Sequence, residues 1–197
     1  MGGVLQRART CQLSGLRELT SPQRVLIVGE GDGSFLIRFA RQFPKAEITV
    51  VEPSEVMMDR ARARLNQLGL LSERMVFMTQ ALQETALAEG VYDLIVTLFF
   101  FDNFESAEVV ACIRKLERYA EAGAYWLVSD FGLPESGWRR WRAQVWLWVL
   151  YRFFAATTGL PAKQLPDAEA SLAAAGIELL SRKSSCAGML YSALYRV

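Results

Sequence analysis

Three glycines at alternate positions, Gly29, Gly31 and Gly33, follow one apolar run, and three carboxylates, Glu52, Asp102 and Asp130, each follow another. Glycines so placed let a backbone approach a ligand closely, while carboxylates so placed accept hydroxyl protons in hydrogen bonds or remove one from a reacting group. The two features meet in RVLIVGEGDGSF, Arg24 to Phe35, and ITVVEPSEVMMDRAR, Ile48 to Arg62. A glycine loop after one strand and an acid at the end of the next is the layout of a nucleoside-cofactor site, with Glu52 accepting both ribose hydroxyls. Glycines after a strand also serve tight turns in proteins that hold no cofactor, and an acid at a strand end also serves as a helix cap. The spacing between the two is what points to a site.

Histidine is absent, which removes imidazole bases, Ser-His and Cys-His nucleophiles and His-ligated metals. Catalysis must then use carboxylates, Tyr, Lys or positioning alone, and no metal is expected. Cys11, Cys112 and Cys186 are isolated and odd in number, against a disulfide framework and in favour of a reducing compartment. The N-terminus carries no apolar core of signal-peptide length, so the expected location is cytoplasmic. At 197 residues, 52% apolar and 22% charged, the composition is that of one globular domain, residues 1–197. A net charge of +1 argues against a nucleic-acid partner.

The elements that must position these residues follow from periodicity. Val25 to Val28 reads as a buried strand, Ser34 to Phe43 as a helix ended by Pro44, and Ile48 to Val51 as a second strand. Ser54 is an N-cap for a helix with Val56, Met57, Ala61 and Leu65 on one face. Then come a strand at Met75 to Met78, a helical stretch at Leu82 to Ala88, a central strand at Asp93 to Phe101, a helix from about Ser106 to Ala120 and a strand at Tyr125 to Ser129. A helical insertion over 136–165 and a helix opened by Asp167 follow. Glu178 to Arg182 and Met189 to Val197, joined through Ala187 and Gly188, predict an antiparallel pair at one sheet edge. Residues 1–23 form a short helical extension ahead of the first strand. The whole predicts a three-layer α/β sheet, mostly parallel with an antiparallel edge strand, binding ligands at the strands' carboxyl ends.

A dinucleotide fingerprint would place a glycine three residues after Gly31; Ser34 stands there, and the every-second-residue spacing favours S-adenosylmethionine over NAD. The loop GEGDG, the segment EPSEVMMDRARARL, the strands YDLIVTLFFFDNF and AYWLVSDF and the tail LPDAEASLAAAGIELL together resemble the class I S-adenosylmethionine-dependent methyltransferases. Within them the chain looks most like the ubiquinone/menaquinone C-methyltransferase-like branch, over nearly its whole length. The resemblance implies a Rossmann-like sheet that binds S-adenosylmethionine and releases S-adenosylhomocysteine. It places Gly29, Glu30, Gly31, Asp32 and Gly33 along the methionine and ribose, Glu52 on the ribose hydroxyls, and Pro53 to Met57 beside the adenine. Gln80 and Ala81 would cap the adenine's other edge, Leu98 and Phe99 would line the cofactor, and Phe99 to Asp102 would border the reactive methyl. The family's first motif commonly has an acid where Ile27 stands, so the cofactor's ammonium group falls to Glu30, Asp32 or backbone carbonyls. The family usually has Asp after the third strand, where Gln80 and Ala81 stand here. Its N-terminal region is also commonly longer.

Trp138, Trp141, Trp146 and Trp148, interleaved with Arg139, Arg140, Arg142 and Arg152, crowd the segment after the fifth strand. The apolar run Val145 to Leu150 is too short to span a bilayer. The segment suits a core-packing helix with snorkelling arginines, or the wall of a pocket for a small hydrophobic or aromatic acceptor. Exposed aromatics with a short N-terminal cover point to a homodimer or a peripheral membrane contact, which composition does not separate. Methyl transfer to a phenol, enol or carbon acid needs a base; Asp102 and Asp130 are the candidates, with Tyr151 as an orienting hydroxyl. Asp102 equally suits capping of the helix near Ser106. Two alternatives stand beside methyl transfer: a non-catalytic cofactor-binding protein, and an aminopropyltransferase, whose acidic substrate pattern after the fourth strand is missing here.

Overall fold

Arg24–Val28, five residues dominated by branched aliphatics, forms β1, and its last four are buried, so both faces of this strand need cover. Tyr92–Leu98 (β4) is buried nearly throughout for the same reason. A computed structural model describes residues 2–132 and 165–197, with side chains from residue 6 onward. Among the described residues these two strands lie at the centre of a seven-stranded sheet. The other strands are Glu47–Val51 (β2), Met75–Met78 (β3), Ala120–Phe131 (β5), Glu178–Ser185 (β6) and Leu190–Arg196 (β7), in the spatial order β3-β2-β1-β4-β5-β7-β6. β1 pairs in parallel with β2 on one side and β4 on the other, so the winding direction reverses between β1 and β4. Ligands bind in the crevice that such a reversal opens at the strands' carboxyl ends.

Alternate residues along the strands divide into two cores. On one face Val25, Ile27, Ile48, Val50, Leu94 and Val96 pack against Leu13 and Leu16 of α2 (Leu13–Leu19), Phe35 and Phe39 of α3 (Ser34–Gln42) and Met58 and Leu65 of α4 (Glu55–Gln67). On the other, Leu26, Ile95, Trp126 and Val128 pack against Val109, Ile113 and Leu116 of α5 (Ser106–Tyr119) and Leu172 of α6 (Ala168–Ala174). A further helix, α1 (Gly2–Thr10), crosses β5 and β7: Ser129 Oγ donates to Ala8 O at 3.3 Å, and Gln12 Nε2, just beyond the helix, donates to Ser192 O at 3.1 Å.

The three-layer, mostly parallel sheet follows the sequence reading, with differences in detail. The terminal antiparallel pair forms at the sheet edge, and the reversed strand is β7, antiparallel to both its neighbours. Leu82 to Ala88 is no helix beyond one tight turn at Leu82–Glu84. Thr85 Oγ1 donates back to Ala81 O at 2.8 Å, and the Thr85 carbonyl accepts from the Tyr119 hydroxyl at 2.9 Å, so a side chain takes the acceptor that a continuing helix would need. β5 starts at Ala120, earlier than its apolar pattern, because Tyr92 and Ala120 pair as α5 ends. Ser54 and Asp167 cap α4 and α6 as expected, accepting from Met57 N at 3.3 Å and Ala170 N at 2.9 Å. The helical insertion read over 136–165 lies outside the described residues, apart from its last position. Among the described residues no helix is long and apolar enough to cross a membrane.

Candidate functional site

The three loop glycines do three different things. All have positive φ, +76° at Gly29, +70° at Gly31 and +80° at Gly33. A Cβ on Gly29 would lie 2.9 Å from Leu98 O, and one on Gly33 would lie 2.8 Å from Ala61 Cα. The first glycine therefore seats the loop on the end of β4, and the third lets α3 approach α4. A Cβ on Gly31 would meet nothing within 4 Å, so the middle of the loop faces open space.

Glu52 stands at the end of β2, half-buried, and ties this loop to the next helix. Its Oε2 accepts from Gly31 N at 3.2 Å and its Oε1 from Ser54 N at 3.1 Å. Pro53 is exposed and Met57 half-buried on the first turn of α4. Gln80 and Ala81 follow β3, whose Met78 carbonyl accepts from Glu52 N at 3.2 Å; the end of β3 thus adjoins Glu52. The Asp32 carboxylate, half exposed, is engaged by neighbouring side chains of the protein. Arg64 Nη1 lies 2.6 Å from Asp32 Oδ2 and also donates to Asp32 O and Ser34 Oγ; against some burial, hydrogen bonds from the Ser34 side chain and amide, and then the Arg64 and Arg9 charges, hold the acid below the usual carboxylate range.

Glu30 is the unusual member of the loop. It is fully buried; its Oε1 accepts from Phe35 N at 3.0 Å and Leu36 N at 3.1 Å at the start of α3, while its Oε2 has no partner. Burial raises its pKa to about 8 against the lowering by those amides and the Arg9 charge. Arg9, on α1, has a buried Nε that also lacks a partner, and its guanidinium carbon sits 5.1 Å from the centre of the Phe99 ring.

Across the crevice, Leu98 is buried and Phe99 takes φ +49°, a conformation that bulky residues rarely adopt. Its amide donates to Ser129 O at 2.7 Å, Asn103 Nδ2 holds its carbonyl at 3.0 Å, and its ring meets Phe131 edge-on at 5.2 Å. Asp102 and Asp130 come together here. Asp130 is buried and accepts from Phe101 N at 3.0 Å and Phe131 N at 2.7 Å. Desolvation and the neighbouring Asp102 push its pKa well up, and desolvation brings half-buried Asp102 to about 7. Asp102 does not cap α5; Glu105 occupies that position, its amide donating to Glu108 Oε2 at 2.8 Å. Tyr151 lies outside the described residues.

Residues 25–123 match the family model described as a methyltransferase domain, half of the chain and all of the site so far described except Arg9, Ser129, Asp130 and Phe131. The chain belongs to the class I S-adenosylmethionine-dependent methyltransferases. Among curated relatives, the malonyl-[acyl-carrier protein] O-methyltransferase of Geobacter sulfurreducens is 37% identical over 84 residues, 43% of this chain and 30% of that protein. The demethylmenaquinone methyltransferase of Bacteroides fragilis is 24% identical over 114 residues, 58% of this chain and 45% of that protein. The matched stretches thus span less than half the length of these relatives. Among solved structures, a SAM-dependent methyltransferase from Aquifex aeolicus superposes with a TM-score of 0.67 at 17% identity, covering 98% of this chain and 92% of that one. The magnesium protoporphyrin IX methyltransferase of Synechocystis with bound SAH gives 0.68 at 20% identity, covering 98% and 81%. These two show the same fold.

The residues present fit this methyltransferase family's cofactor. The open space beside Gly31, the half-buried Glu52 carboxylate at the end of β2 and the partnerless Glu30 Oε2 have the chemistry such a cofactor needs: room for a ligand at the loop, acceptors for hydroxyls and an acceptor for an ammonium group. Arg9 and Phe131 escape a sequence reading. A lone arginine ahead of the first strand carries no signal, and Phe131 could have been found only as the aromatic flanking Asp130.

Proposed function

We propose that the protein transfers a methyl group from S-adenosylmethionine to a small hydrophobic or aromatic acceptor. The observation that carries this reading is Glu52, whose carboxylate bridges the open glycine loop and the first turn of α4. When bound, the cofactor supplies an electrophilic methyl on a sulfonium centre. Glu52 would receive the ribose hydroxyls, Pro53, Met57, Gln80 and Ala81 would border the adenine, and Leu98 and Phe99 would border the thioether side. The Phe99 and Phe131 rings offer an apolar wall for an aromatic acceptor, at the point where β4 and β5 end. Two of the relatives are named for aromatic acceptors, a quinone and a porphyrin, in keeping with an acceptor of that kind.

Within the carboxylate pair the roles divide. Asp130 is engaged by the backbone amides of Phe101 and Phe131 and positions the 101–103 turn. Asp102 is the half-buried partner, and with its pKa near 7 it is suited to take the acceptor's proton at neutral pH. The test is transfer of labelled methyl from S-adenosylmethionine to quinols, phenols and acyl-carrier thioesters. Wild-type transfer that falls about 100-fold or more in Asp102→Asn, with cofactor affinity unchanged, supports the reading. Cofactor binding without transfer to any of these acceptors makes the protein a binding module instead.

A further inference from the structure

We infer that Asn103 is the positioning residue of the proposed reaction: its side-chain amide fixes the Asp102 carboxylate and the backbone of Phe99 relative to each other, so that base and aromatic wall meet the acceptor in a set arrangement. The inference rests on the methyl-transfer reading and adds to it a residue that acts through Asp102 and Phe99.

The geometry is that of a clamp. Asn103 Nδ2 donates to Phe99 O at 3.0 Å, to Phe100 O at 3.2 Å and to Asp102 Oδ1 at 3.0 Å. Two carbonyls and a carboxylate only accept, so the amide nitrogen, and not the amide oxygen, must face them. Two N–H hydrogens then serve three acceptors, and one hydrogen is shared. Serine or threonine would bring a single hydrogen to this place, and an ionised aspartate none.

Phe99, at φ +49°, is in a conformation that a bulky residue keeps only where its surroundings hold it. Its amide is tied to Ser129 O at 2.7 Å, which fixes one end of the residue; Asn103 fixes the other end at the carbonyl. The turn over 101–103 does not depend on this side chain. Phe104 N donates to Phe101 O at 3.1 Å and Phe101 N donates to Asp130 Oδ2 at 3.0 Å, which close it without Asn103. Asn103 is exposed, where water serves amides as well as protein does, yet its contacts run to Phe99, Phe100 and Asp102.

In the proposed reaction the acceptor's oxygen or carbon gains the methyl as the methyl–sulfur bond breaks, and its proton passes to Asp102. An N–H on Oδ1 occupies that oxygen and leaves Oδ2 to take the proton. The same N–H favours the charged carboxylate, against the burial that raises Asp102; Asp130 is the titrating group beside it.

The experiment compares full-chain wild type, Asn103→Ala, Asn103→Ser and Asp102→Asn. Asp102 is followed by carboxyl-carbon NMR in aspartate-labelled protein, with Asp102→Asn identifying its signal, and rates are followed as labelled-methyl transfer to naphthoquinol, phenol and acyl-carrier thioester acceptors across pH. In Asn103→Ala the Asp102 midpoint should rise by about one pH unit, as loss of a hydrogen bond to a charged group implies. Its kcat at pH 7 should fall about tenfold or more with KM within about twofold, as misplacement of a reacting group implies. Asn103→Ser, which keeps one hydrogen, should recover part of both. Affinity for S-adenosylhomocysteine should stay within about twofold in both variants. An Asp102 midpoint and a pH profile unchanged in Asn103→Ala overturn the inference and leave the methyl-transfer reading standing. So does a loss of rate that is equal in the alanine and serine variants and comes with lost stability and lost S-adenosylhomocysteine affinity. Undiminished transfer by Asp102→Asn, or no transfer by wild type to any of these acceptors, removes both.

Discussion

Gly31 and Gly33 have nearly the same backbone conformation and opposite surroundings, so replacing each with alanine separates a glycine kept for the fold from one kept for a ligand. At both positions an L side chain enters the left-handed region, at a cost of about 1–2 kcal/mol. Gly31→Ala incurs only that, because its Cβ meets nothing within 4 Å. Gly33→Ala in addition drives a Cβ to 2.8 Å from Ala61 Cα and 3.0 Å from Ala61 Cβ. Those atoms belong to the α4 backbone and its shortest side chain, so no rotamer can yield; the two helices must part. Overpacking of this kind costs about 1–3 kcal/mol, which brings Gly33→Ala to about 2–5 kcal/mol in all. Against a total stability of about 5–15 kcal/mol this is a large share.

Urea unfolding followed by circular dichroism reads the difference directly, provided the slopes of the transitions match. For a chain of this length each kcal/mol lowers the melting temperature by about 2–4 °C, so a loss of about 3 kcal/mol in Gly33→Ala corresponds to about 6–12 °C. Binding should show the reverse order. Gly31→Ala puts a methyl into the open side of the loop and should lose S-adenosylhomocysteine affinity beyond any effect on stability, while folded Gly33→Ala should retain most of it. Equal destabilisation by the two substitutions, or a Gly33→Ala protein as stable as wild type, would refute the assignment of Gly33 to helix packing.

Glu30 gives a pH signature. Its folded pKa of about 8 lies above its ordinary 4.5, so between these values the folded chain keeps a proton that the unfolded chain has lost, and stability falls as pH rises through that window. Glu30→Gln should therefore gain on wild type between pH 5 and pH 8 in denaturant titrations; parallel pH curves would contradict the buried-acid account. Glu52→Ala removes the acceptor shared by Gly31 N and Ser54 N and should weaken S-adenosylhomocysteine about tenfold or more, as loss of charge-assisted contacts implies. Unchanged calorimetric affinity would remove Glu52 from the site. Tyr119→Phe deletes the buried donor to Thr85 O and should cost about 1 kcal/mol, with faster amide exchange confined to the 82–88 segment.

The parts of this molecule that are legible in its amino-acid sequence are those in which one interaction dominates locally. Buried runs such as Leu26 to Val28 and Leu94 to Leu98 can only be central strands, and a serine or aspartate before an apolar helical pattern can satisfy amides there, as Ser54 and Asp167 do. The parts that are not legible depend on distant partners. Leu82 to Ala88 has a helical pattern, but a tyrosine hydroxyl 34 residues on captures the Thr85 carbonyl. Residues 120–124 lack a strand pattern and are drawn into β5 by the end of α5 and the pairing with Tyr92. The loop acids are legible as acids and not as roles: Asp32 is bound to Arg64 of α4, while Glu30, one place from Gly31, is turned inward. Arg9 has no local pattern at all; only the path of α1 over the sheet brings it to Phe99.

The place of β7 bears on how the chain is made. Its residues, Leu190–Arg196, are the last of the seven strands in sequence, yet they fill the gap between β5 and β6. β5 carries Trp126, Leu127 and Val128, all fully buried once the sheet is complete. On a ribosome adding about 5–20 residues per second, about 60 residues separate the end of β5 from the start of β7, an interval of roughly 3–12 s. Throughout it the nascent sheet has an unpaired apolar edge of the kind that recruits chaperones or pairs with another unfinished chain. A truncation ahead of Leu190 would for the same reason remove an interior strand and leave β6 unmoored, so a shortened product of this gene should accumulate as aggregate and not as a trimmed, functional domain.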